Sequence, residues 1–156
     1  MKNTRRRDTP AEMALRRAIH RKGLRYLVDA PVLGTRRRAD ILFRGAHVAV
    51  FVDGCFWHSC PIHGTLPKEN REWWQQKLAA NDARDRNTDE LLRRSGWEVI
   101  RVWEHEDMAE AARRIQRVVT DRRAFDAGNP CQRTRHPRAE RPRASHGTAA
   151  REAASE

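Results

Sequence analysis

A short segment in the first half of the chain concentrates side chains that bind metals, stack on bases and transfer protons. The apolar run His47–Val52 is followed by Asp53 and Gly54, and residues 55–63 then read Cys-Phe-Trp-His-Ser-Cys-Pro-Ile-His. Thiol and imidazole groups this close together suit zinc, exposed aromatic rings suit base stacking, and His58 is placed for proton transfer. The segment therefore predicts metal binding, nucleic-acid binding and catalysis together.

Three candidate zinc ligands lie in this segment, namely Cys55, Cys60 and His63. The candidate fourth ligand is His105, because it follows a predicted strand that can lie beside the strand ending at Val52. Three closely spaced ligands and one distant ligand are a normal way to hold a loop. Two free buried cysteines are the alternative explanation.

Asp40 is a charged residue inside an apolar strand, in the sequence Arg-Arg-Arg-Ala-Asp-Ile-Leu-Phe of residues 36–43. An aspartate in a sheet crevice near basic side chains is a reasonable ligand for a divalent cation held against a phosphate. A structural role in a turn is the alternative, but the apolar residues after Asp40 favour the metal ligand.

A long helix predicted over Glu69–Arg94 places Asp85 on its apolar stripe, where a buried carboxylate needs a partner. That partner is either His58, whose tautomer a carboxylate would fix, or Arg84 or Arg86 in a surface ion pair.

Glu12 completes a capping box with Thr9, because Thr9-Pro10-Ala11-Glu12 has the residue types of a helix start. It also lies on the inward stripe of Leu15 and Ile19, so a role near the metal stays open.

Basic residues are concentrated at the amino-terminal end and include Arg36, Arg37 and Arg38. Residues 1–38 hold 12 Lys and Arg against 3 Asp and Glu, whereas residues 39–120 hold 12 against 13. This surplus favours a polyanionic partner, and no amphipathic lipid-binding helix accompanies it. No signal peptide is recognisable, and no apolar run approaches the ~20 residues that span a bilayer, so a soluble intracellular protein is expected.

Alternating helix and strand patterns predict an α/β fold with a central sheet flanked by helices. From about Thr120 onward the apolar periodicity ends, so we predict a domain over 1–120 and a disordered basic tail, rich in Arg, Pro and Ala, over 121–156. The predicted helices run from Thr9 to about Gly23, over Glu69–Arg94 and over Asp107–Val119, and the predicted strands cover Arg25–Val28, Ala39–Phe43, His47–Val52 and Trp97–Trp103.

Several of these residues together match a known family. They are Phe51–His58, Ala39-Asp40 upstream, Trp74 and Asp85 downstream, and Gly96-Trp97 with Trp103-Glu104. From about Asp8 to Val119 the chain resembles the very-short-patch-repair (Vsr) DNA mismatch endonucleases. The resemblance implies the fold of the PD-(D/E)XK nucleases, with a central mixed sheet and an added structural zinc loop. It also implies nicking of duplex DNA 5′ to the thymine of a T:G mismatch.

The resemblance implies two cofactors, a catalytic Mg²⁺ and a structural Zn²⁺. Asp40 and the main-chain carbonyl of Val52 match the Mg²⁺ ligands, and His58 matches the catalytic histidine. Asp85 and Glu12 match two supporting acidic positions.

The remaining matches concern DNA and zinc. Phe56, Trp57 and Trp74 match aromatic residues that wedge into the duplex beside the mismatch. The zinc ligands of the family fall at or next to Cys55, Cys60, His63 and His105.

The chain also departs from the family pattern. The family has a histidine at the position of Cys60 and cysteines at the positions of His63 and His105. Asp53 replaces a common histidine and adds a carboxylate that could seek a metal. In the wider nuclease superfamily, a lysine lies two residues after the second acid. Here no lysine follows Asp53 at that spacing, so His58 is expected to matter more for catalysis.

Double-stranded DNA with a T:G mismatch is therefore the expected partner, and mismatch-repair accessory proteins stay open as further partners. We expect a monomer in a bacterial-type cytoplasm, associated with the nucleoid. Two other classes of function stay open. One is a nuclease of the same fold that acts on ordinary duplex DNA in restriction or recombination, and the other is a non-catalytic, zinc-stabilised DNA-binding module.

Overall fold

The computed structural model describes residues 8–33, 35–58, 60–63 and 66–128 of the chain. In chain order the elements are α1 (Pro10–Arg21), β1 (Leu27–Pro31), β2 (Arg38–Phe43), a 3-10 turn (Arg44–Ala46), β3 (Val48–Asp53), α2 (Arg71–Arg94), β4 (Glu98–Trp103) and α3 (Met108–Gly128). The predicted α/β class is confirmed. Among the described helices, none combines the length and apolar character needed to cross a membrane.

The four strands form one mixed sheet in the order β1-β2-β3-β4. The first three strands are antiparallel, whereas β3 and β4 are parallel, with Val50 opposite Ile100. A parallel pair needs a crossover connection, and α2 lies in that connection. The carboxyl ends of β3 and β4 therefore lie side by side, with Asp53 opposite Trp103.

Helices cover both faces of the sheet, and each face has its own apolar core. On one face, α1 and α3 bury Leu15 and Ile115 in the same cluster as Val50. On the other face, Leu92 of α2 is buried in a cluster with Ala49. Because β3 is covered on both faces, it is apolar at successive positions rather than at alternate ones.

The first strand lies later than predicted. The prediction of a strand over Arg25–Val28 is wrong in its limits, because β1 covers Leu27–Pro31. Proline is disfavoured inside a sheet, but β1 is an edge strand and Pro31 is its last residue, where a missing N–H is tolerated.

The last helix ends later than predicted, at Gly128 rather than Val119. Residues 121–128 are helical and are not part of a disordered tail. Two causes are evident: Ala and Arg favour helix without an apolar stripe, and Arg122 donates to the carbonyl of Ala46 at 3.4 Å. Residues 129–156 of the predicted tail lie outside the described residues, and the division into a domain and a tail stays a prediction.

Candidate active site and metal-binding cluster

Asp40 lies where strands β2 and β3 separate. The antiparallel register of these strands ends with the pair Ile41 and Val50. Beyond that pair, the main-chain N–H of Val52 donates to Oδ2 of Asp40 at 2.7 Å. The carboxylate takes the place of a strand partner, and it is fixed beside the residue whose carbonyl is the second expected Mg²⁺ ligand.

The electrostatic surroundings of Asp40 are those of a carboxylate that needs a cation. Burial raises the pKa of Asp40 from 3.8 to about 6. The hydrogen bond from Val52 opposes this shift, and the negative charges of Glu12 and Asp53 add to it. A bound divalent cation would supply the missing positive charge, as expected of a metal ligand.

Glu12 has the capping role that its sequence predicts. Its main-chain N–H donates to Oγ1 of Thr9 at 3.3 Å, and the Thr9 hydroxyl donates to Oε1 of Glu12 at 3.1 Å. The other carboxylate oxygen accepts from Nη2 of Arg16 at 2.9 Å. Glu12 is buried, and its charge acts on Asp40. It is thus a fixed capping residue that contributes to the electrostatics of the site.

The structure decides between the two predicted partners of Asp85. Nδ1 of His58 lies 2.6 Å from Oδ2 of Asp85. Arg84 and Arg86 instead hydrogen-bond to other groups of α2. Because the carboxylate occupies Nδ1, Nε2 is the ring nitrogen left to exchange a proton with a reactant.

The charges of this pair support each other. Burial by itself lowers the pKa of His58, but the hydrogen bond to Asp85 and the charges of Asp53 and Asp85 outweigh it, so the pKa is raised. Burial by itself raises the pKa of Asp85, but the hydrogen bond and the charge of His58 outweigh it, so that pKa is lowered. Both shifts favour imidazolium beside carboxylate, the charge state that forms when His58 takes a proton.

A network around Arg101 lies next to this pair and was not predicted. Nη1 of Arg101 donates to the two oxygens of Asp53 at 2.7 and 2.9 Å, and Nη2 donates to Oδ1 of Asp89 at 2.9 Å. Asp53 is only 3% exposed, so its charge requires this partner. The engagement of both oxygens argues against Asp53 as an extra metal ligand. An arginine inside the apolar run Trp97–Trp103 was the signal that could have revealed the network.

Four aromatic side chains form an aromatic cluster between the loop after β3 and the start of α2. Phe56 contacts Trp57 and Trp74 edge to face, with ring centroids 5.1 and 5.2 Å apart. Trp73, which was not predicted to take part, packs edge to face against Trp74 at 4.8 Å. Trp57 and Trp73 are 38% and 53% exposed, so the cluster presents stacking surface to solvent.

The parallel pairing of β3 and β4 brings the four candidate zinc ligands together. The ligand atoms of Cys55, Cys60, His63 and His105 all lie within 4.8 Å of one another. Sγ of Cys60 is 3.9 Å from Nδ1 of His63 and 3.7 Å from Nδ1 of His105. Sγ of Cys55 is 3.8 Å from Nδ1 of His63 and 3.0 Å from Nδ1 of His105.

These distances fit a tetrahedral metal site. Zinc bonds of about 2.3 Å to sulfur and about 2.1 Å to nitrogen, at a tetrahedral angle, place the two ligand atoms about 3.6 Å apart. Three of the four sulfur–nitrogen distances lie close to that value, and the contact of Cys55 with His105 is shorter. Two thiols and two imidazoles are donors that zinc accepts.

The two thiols differ in their acidity. Burial raises the pKa of Cys55 to about 11, and Cys60 and Glu104 add to the shift. Burial also tends to raise the pKa of Cys60, but the main-chain N–H groups of His63 and Ile62 outweigh it, so that pKa is lowered. A metal ion that binds the two sulfurs would displace the protons that they carry.

Comparison with known proteins decides the family. A family model described as DNA mismatch endonuclease Vsr matches residues 1–63. The type II nicking enzyme V.NaeI of Lentzea aerocolonigenes is 45% identical over 114 residues, which are 71% of this chain and 69% of that enzyme. The chain belongs to the Vsr family. The DNA mismatch endonuclease Vsr of Escherichia coli (strain K12) is 35% identical over 101 residues, which cover 63% of this chain and 62% of that protein.

A solved structure supports the fold independently. The catalytic domain of the homing endonuclease I-Bth0305I superposes with a TM-score of 0.50 at 16% identity, over 74% of this chain and 98% of that domain. The match concerns the fold alone. Membership of the Vsr family is what makes this chain an endonuclease that acts on DNA.

The arginines expected to contact DNA in this Vsr-family endonuclease differ in their surroundings. Arg36 is exposed. Arg37 donates to Oδ1 of Asn87 at 2.8 Å, and Arg38 forms an ion pair with Asp29 at 2.7 Å. The side chain of Arg36 therefore faces solvent. Arg37 and Arg38 are engaged within the protein, although the side chain of Arg38 is still 51% exposed.

We predict that Asp40→Asn stabilises the Mg²⁺-free protein at neutral pH. The folded-state pKa of about 6 lies above the ordinary value of 3.8, so the folded state binds more protons between these values. The stabilising protonated form is lost as the pH rises through this window. Asparagine keeps an acceptor for Val52 without the charge, so it should be more stable than the original residue by about 1–3 kcal/mol at pH 7.

Urea unfolding at pH 4 and pH 7 without Mg²⁺, with the variant compared with the original protein at the same pH, measures this difference. The gain should nearly vanish at pH 4, and the exposed-site control Asp121→Asn should show no comparable gain. A loss of stability at pH 7 in Asp40→Asn would contradict the interpretation.

Proposed function

We propose that this endonuclease nicks duplex DNA on the 5′ side of the thymine of a T:G mismatch, in a Mg²⁺-dependent reaction of very short patch repair. The observation that carries the proposal is the association of three groups: the Asp40 carboxylate, the hydrogen-bonded His58 and Asp85, and the aromatic cluster. Asp53 links the first two groups, because its charge acts on both Asp40 and His58. The relatives named as a mismatch endonuclease and a nicking enzyme support the same reaction.

Asp40 and the main-chain carbonyl of Val52 would hold the catalytic Mg²⁺, since both offer the oxygen ligands that this ion prefers. When bound, Mg²⁺ polarises the scissile phosphate and stabilises the leaving oxygen. Glu12 and Asp53 contribute negative charge rather than ligands, because Thr9 and Arg16 engage one carboxylate and Arg101 engages the other.

His58 acts as the general base of this reaction. Its Nε2 accepts a proton from the attacking water, while Asp85 holds the ring through Nδ1 and stabilises the imidazolium that forms. No lysine follows Asp53 at the position usual in the wider superfamily, so the proton transfer depends on His58. The oxygen of the attacking water bonds to phosphorus, the bond between phosphorus and the 3′ oxygen breaks, and the 3′ oxygen takes a proton from solvent. The products therefore carry 5′-phosphate and 3′-hydroxyl ends.

The aromatic cluster provides the selectivity for a mismatch. An aromatic ring inserted between base pairs must first unstack them, and this costs less where a mispair has already weakened stacking. Trp57 directly precedes His58 in the sequence, so recognition and catalysis are covalently linked in one loop.

Cys55, Cys60, His63 and His105 hold a structural Zn²⁺ in this proposal. Four protein ligands leave no open position for a water or substrate, which is the pattern of structural rather than catalytic zinc. The ion fixes the loop that carries Trp57 and His58.

We predict one zinc ion per chain, bound by this cluster. His63→Ala should lose the zinc and lower the melting temperature, because structural zinc sites contribute ~10–16 kcal/mol of apparent binding free energy. His20→Ala, which removes an exposed histidine of α1, should retain both. Elemental analysis and thermal unfolding measure these effects, and a well-folded original protein without zinc would refute the site.

We predict that Asp40→Ala abolishes Mg²⁺-dependent nicking of a T:G duplex but leaves binding of that duplex intact, because it removes a metal ligand. His58→Ala should lower the nicking rate by roughly 10²–10⁴, the usual effect of a lost general base. Glu90→Gln, an exposed carboxylate on α2, serves as the control with an unchanged rate.

Single-turnover nicking on T:G, T:A and C:G duplexes tests these variants and the proposed function together. Equal cleavage of all three duplexes by the original protein would contradict mismatch specificity and favour a nuclease of ordinary duplex DNA. Full activity of both Asp40→Ala and His58→Ala would instead refute the assigned catalytic residues.

We predict that Trp57→Ala and Trp74→Ala reduce the preference for nicking a T:G duplex over a T:A duplex. In the proposed function, an aromatic ring of the cluster inserts between base pairs, and this insertion is easier where a mispair has weakened stacking. Phe125→Ala is the matched control, since it removes an exposed aromatic ring from α3, on the other face of the sheet. The ratio of nicking rates on the two duplexes is the measurement. An unchanged ratio in both tryptophan variants would remove the wedge from the proposal without affecting the catalytic assignment.

A further inference from the structure

Arg101 brings a positive charge into the sheet and connects it to α2. From strand β4, its Nη1 donates to Asp53 of β3 at 2.7 Å and its Nη2 donates to Asp89 of α2 at 2.9 Å. Asp89 lies one helical turn after Asp85, whose Oδ1 is 3.8 Å from the same Nη2. Because the guanidinium is planar and rigid, these contacts fix α2 against the sheet at the level of Asp85.

The imidazole of His58 lies between two carboxylates. Its Nδ1 is 2.6 Å from Oδ2 of Asp85 and 3.7 Å from Oδ1 of Asp53. A single Nδ1–H makes one strong hydrogen bond, so the two acids compete for it. Arg101 holds the competing Oδ1 of Asp53 at 2.7 Å and its Oδ2 at 2.9 Å, so the acceptors of Asp53 are satisfied elsewhere.

We propose that Arg101 is a positioning residue for the His58–Asp85 pair, and that Asp53 and Asp89 are the anchors through which it acts. It keeps Asp53 away from the imidazole and holds Asp85 at hydrogen-bonding distance, so that Nδ1 is bonded to Asp85 and Nε2 stays available to the attacking water. This role rests on the proposed function of His58 as the general base.

A purely structural ion pair would have different consequences. In that case, loss of Arg101 would lower stability through the uncompensated charge of buried Asp53, but the partner of His58 would not change. In the positioning role, loss of Arg101 frees Asp53 to take the Nδ1–H of His58. Removal of the Asp53 charge then restores the original partner even without Arg101.

The test compares Arg101→Gln, Asp53→Asn and the double variant in the full-length, zinc-loaded protein. We expect Arg101→Gln to nick a T:G duplex about 10–100-fold more slowly with Mg²⁺, since a misplacement of about 1 Å can cost 10²-fold, with the duplex Kd within about twofold. The double variant should regain at least tenfold of the lost rate. Arg94→Gln, which removes an exposed arginine paired with Glu90, should nick at the original rate.

Nuclear magnetic resonance of ¹⁵N-histidine provides a readout that does not depend on nicking. The Nδ1–H signal of His58, assigned by its loss in His58→Gln, should shift in Arg101→Gln and return in the double variant. An unchanged signal in folded Arg101→Gln, or a double variant no faster than Arg101→Gln, would overturn the proposal.

If Arg101→Gln does not fold, Arg101→Lys takes its place. The single ammonium group of lysine keeps the positive charge but cannot bridge Asp53 and Asp89 as the planar guanidinium of arginine does. The rate should fall about tenfold and recover when Asp53→Asn is added, and an unchanged rate with an unchanged His58 signal would overturn the proposal. If the original protein does not nick any duplex, the proposed function has failed, whereas the His58 signal still tests the positioning by Arg101.

Discussion

The parallel pairing of β3 with β4 is the constraint on which the rest of the site depends. It places the ends of two strands that are distant in sequence side by side, with Asp53 opposite Trp103. Cys55 and His105 lie just beyond these ends, and Sγ of Cys55 is 3.0 Å from Nδ1 of His105. The crossover that the pairing requires contains α2, which carries Asp85 to His58. One topological feature thus assembles the candidate metal-binding cluster and the His58–Asp85 pair.

Charge compensation distinguishes the partly buried Asp40 of β2 from the buried Asp53 at the end of β3. Both carboxylate oxygens of Asp53 accept hydrogen bonds from the guanidinium of Arg101. Asp40 accepts a hydrogen bond from the main-chain N–H of Val52, and its pKa is raised. A buried carboxylate without a bound cation is costly unless it is protonated or a metal binds it. The acid that has no arginine on its oxygens is therefore the better candidate metal ligand, and it is also the one that the family resemblance implies.

Local patterns in the sequence predicted most of the fold and several of the contacts. The stripe that contains Asp85 indicated a carboxylate in need of a partner, with His58 as one of two alternatives. The ligand types around Cys55 indicated the candidate metal-binding cluster, because periodicity and residue chemistry are local signals. The network around Arg101 was missed because an arginine inside an apolar strand does not indicate which acids it pairs with, and its partners Asp53 and Asp89 lie on two other elements. The place of Trp73 in the aromatic cluster was not predicted, because the exposure of its ring depends on how α2 lies on the sheet. No local pattern in the sequence specifies that arrangement.

The positions of the proposed zinc ligands suggest how one loop would carry both recognition and catalysis. Cys55 and Cys60 flank Phe56, Trp57 and His58 in the sequence, so a metal bound to both cysteines would restrain the intervening backbone at each end. Loops on their own are mobile, and a misplaced general base loses much of its effect. In the proposed mechanism the metal fixes the loop from one side while Asp85, held by the Arg101 network, fixes the imidazole from the other. Two restraints therefore act on His58 in this mechanism, and the loss of either one should reduce the nicking rate.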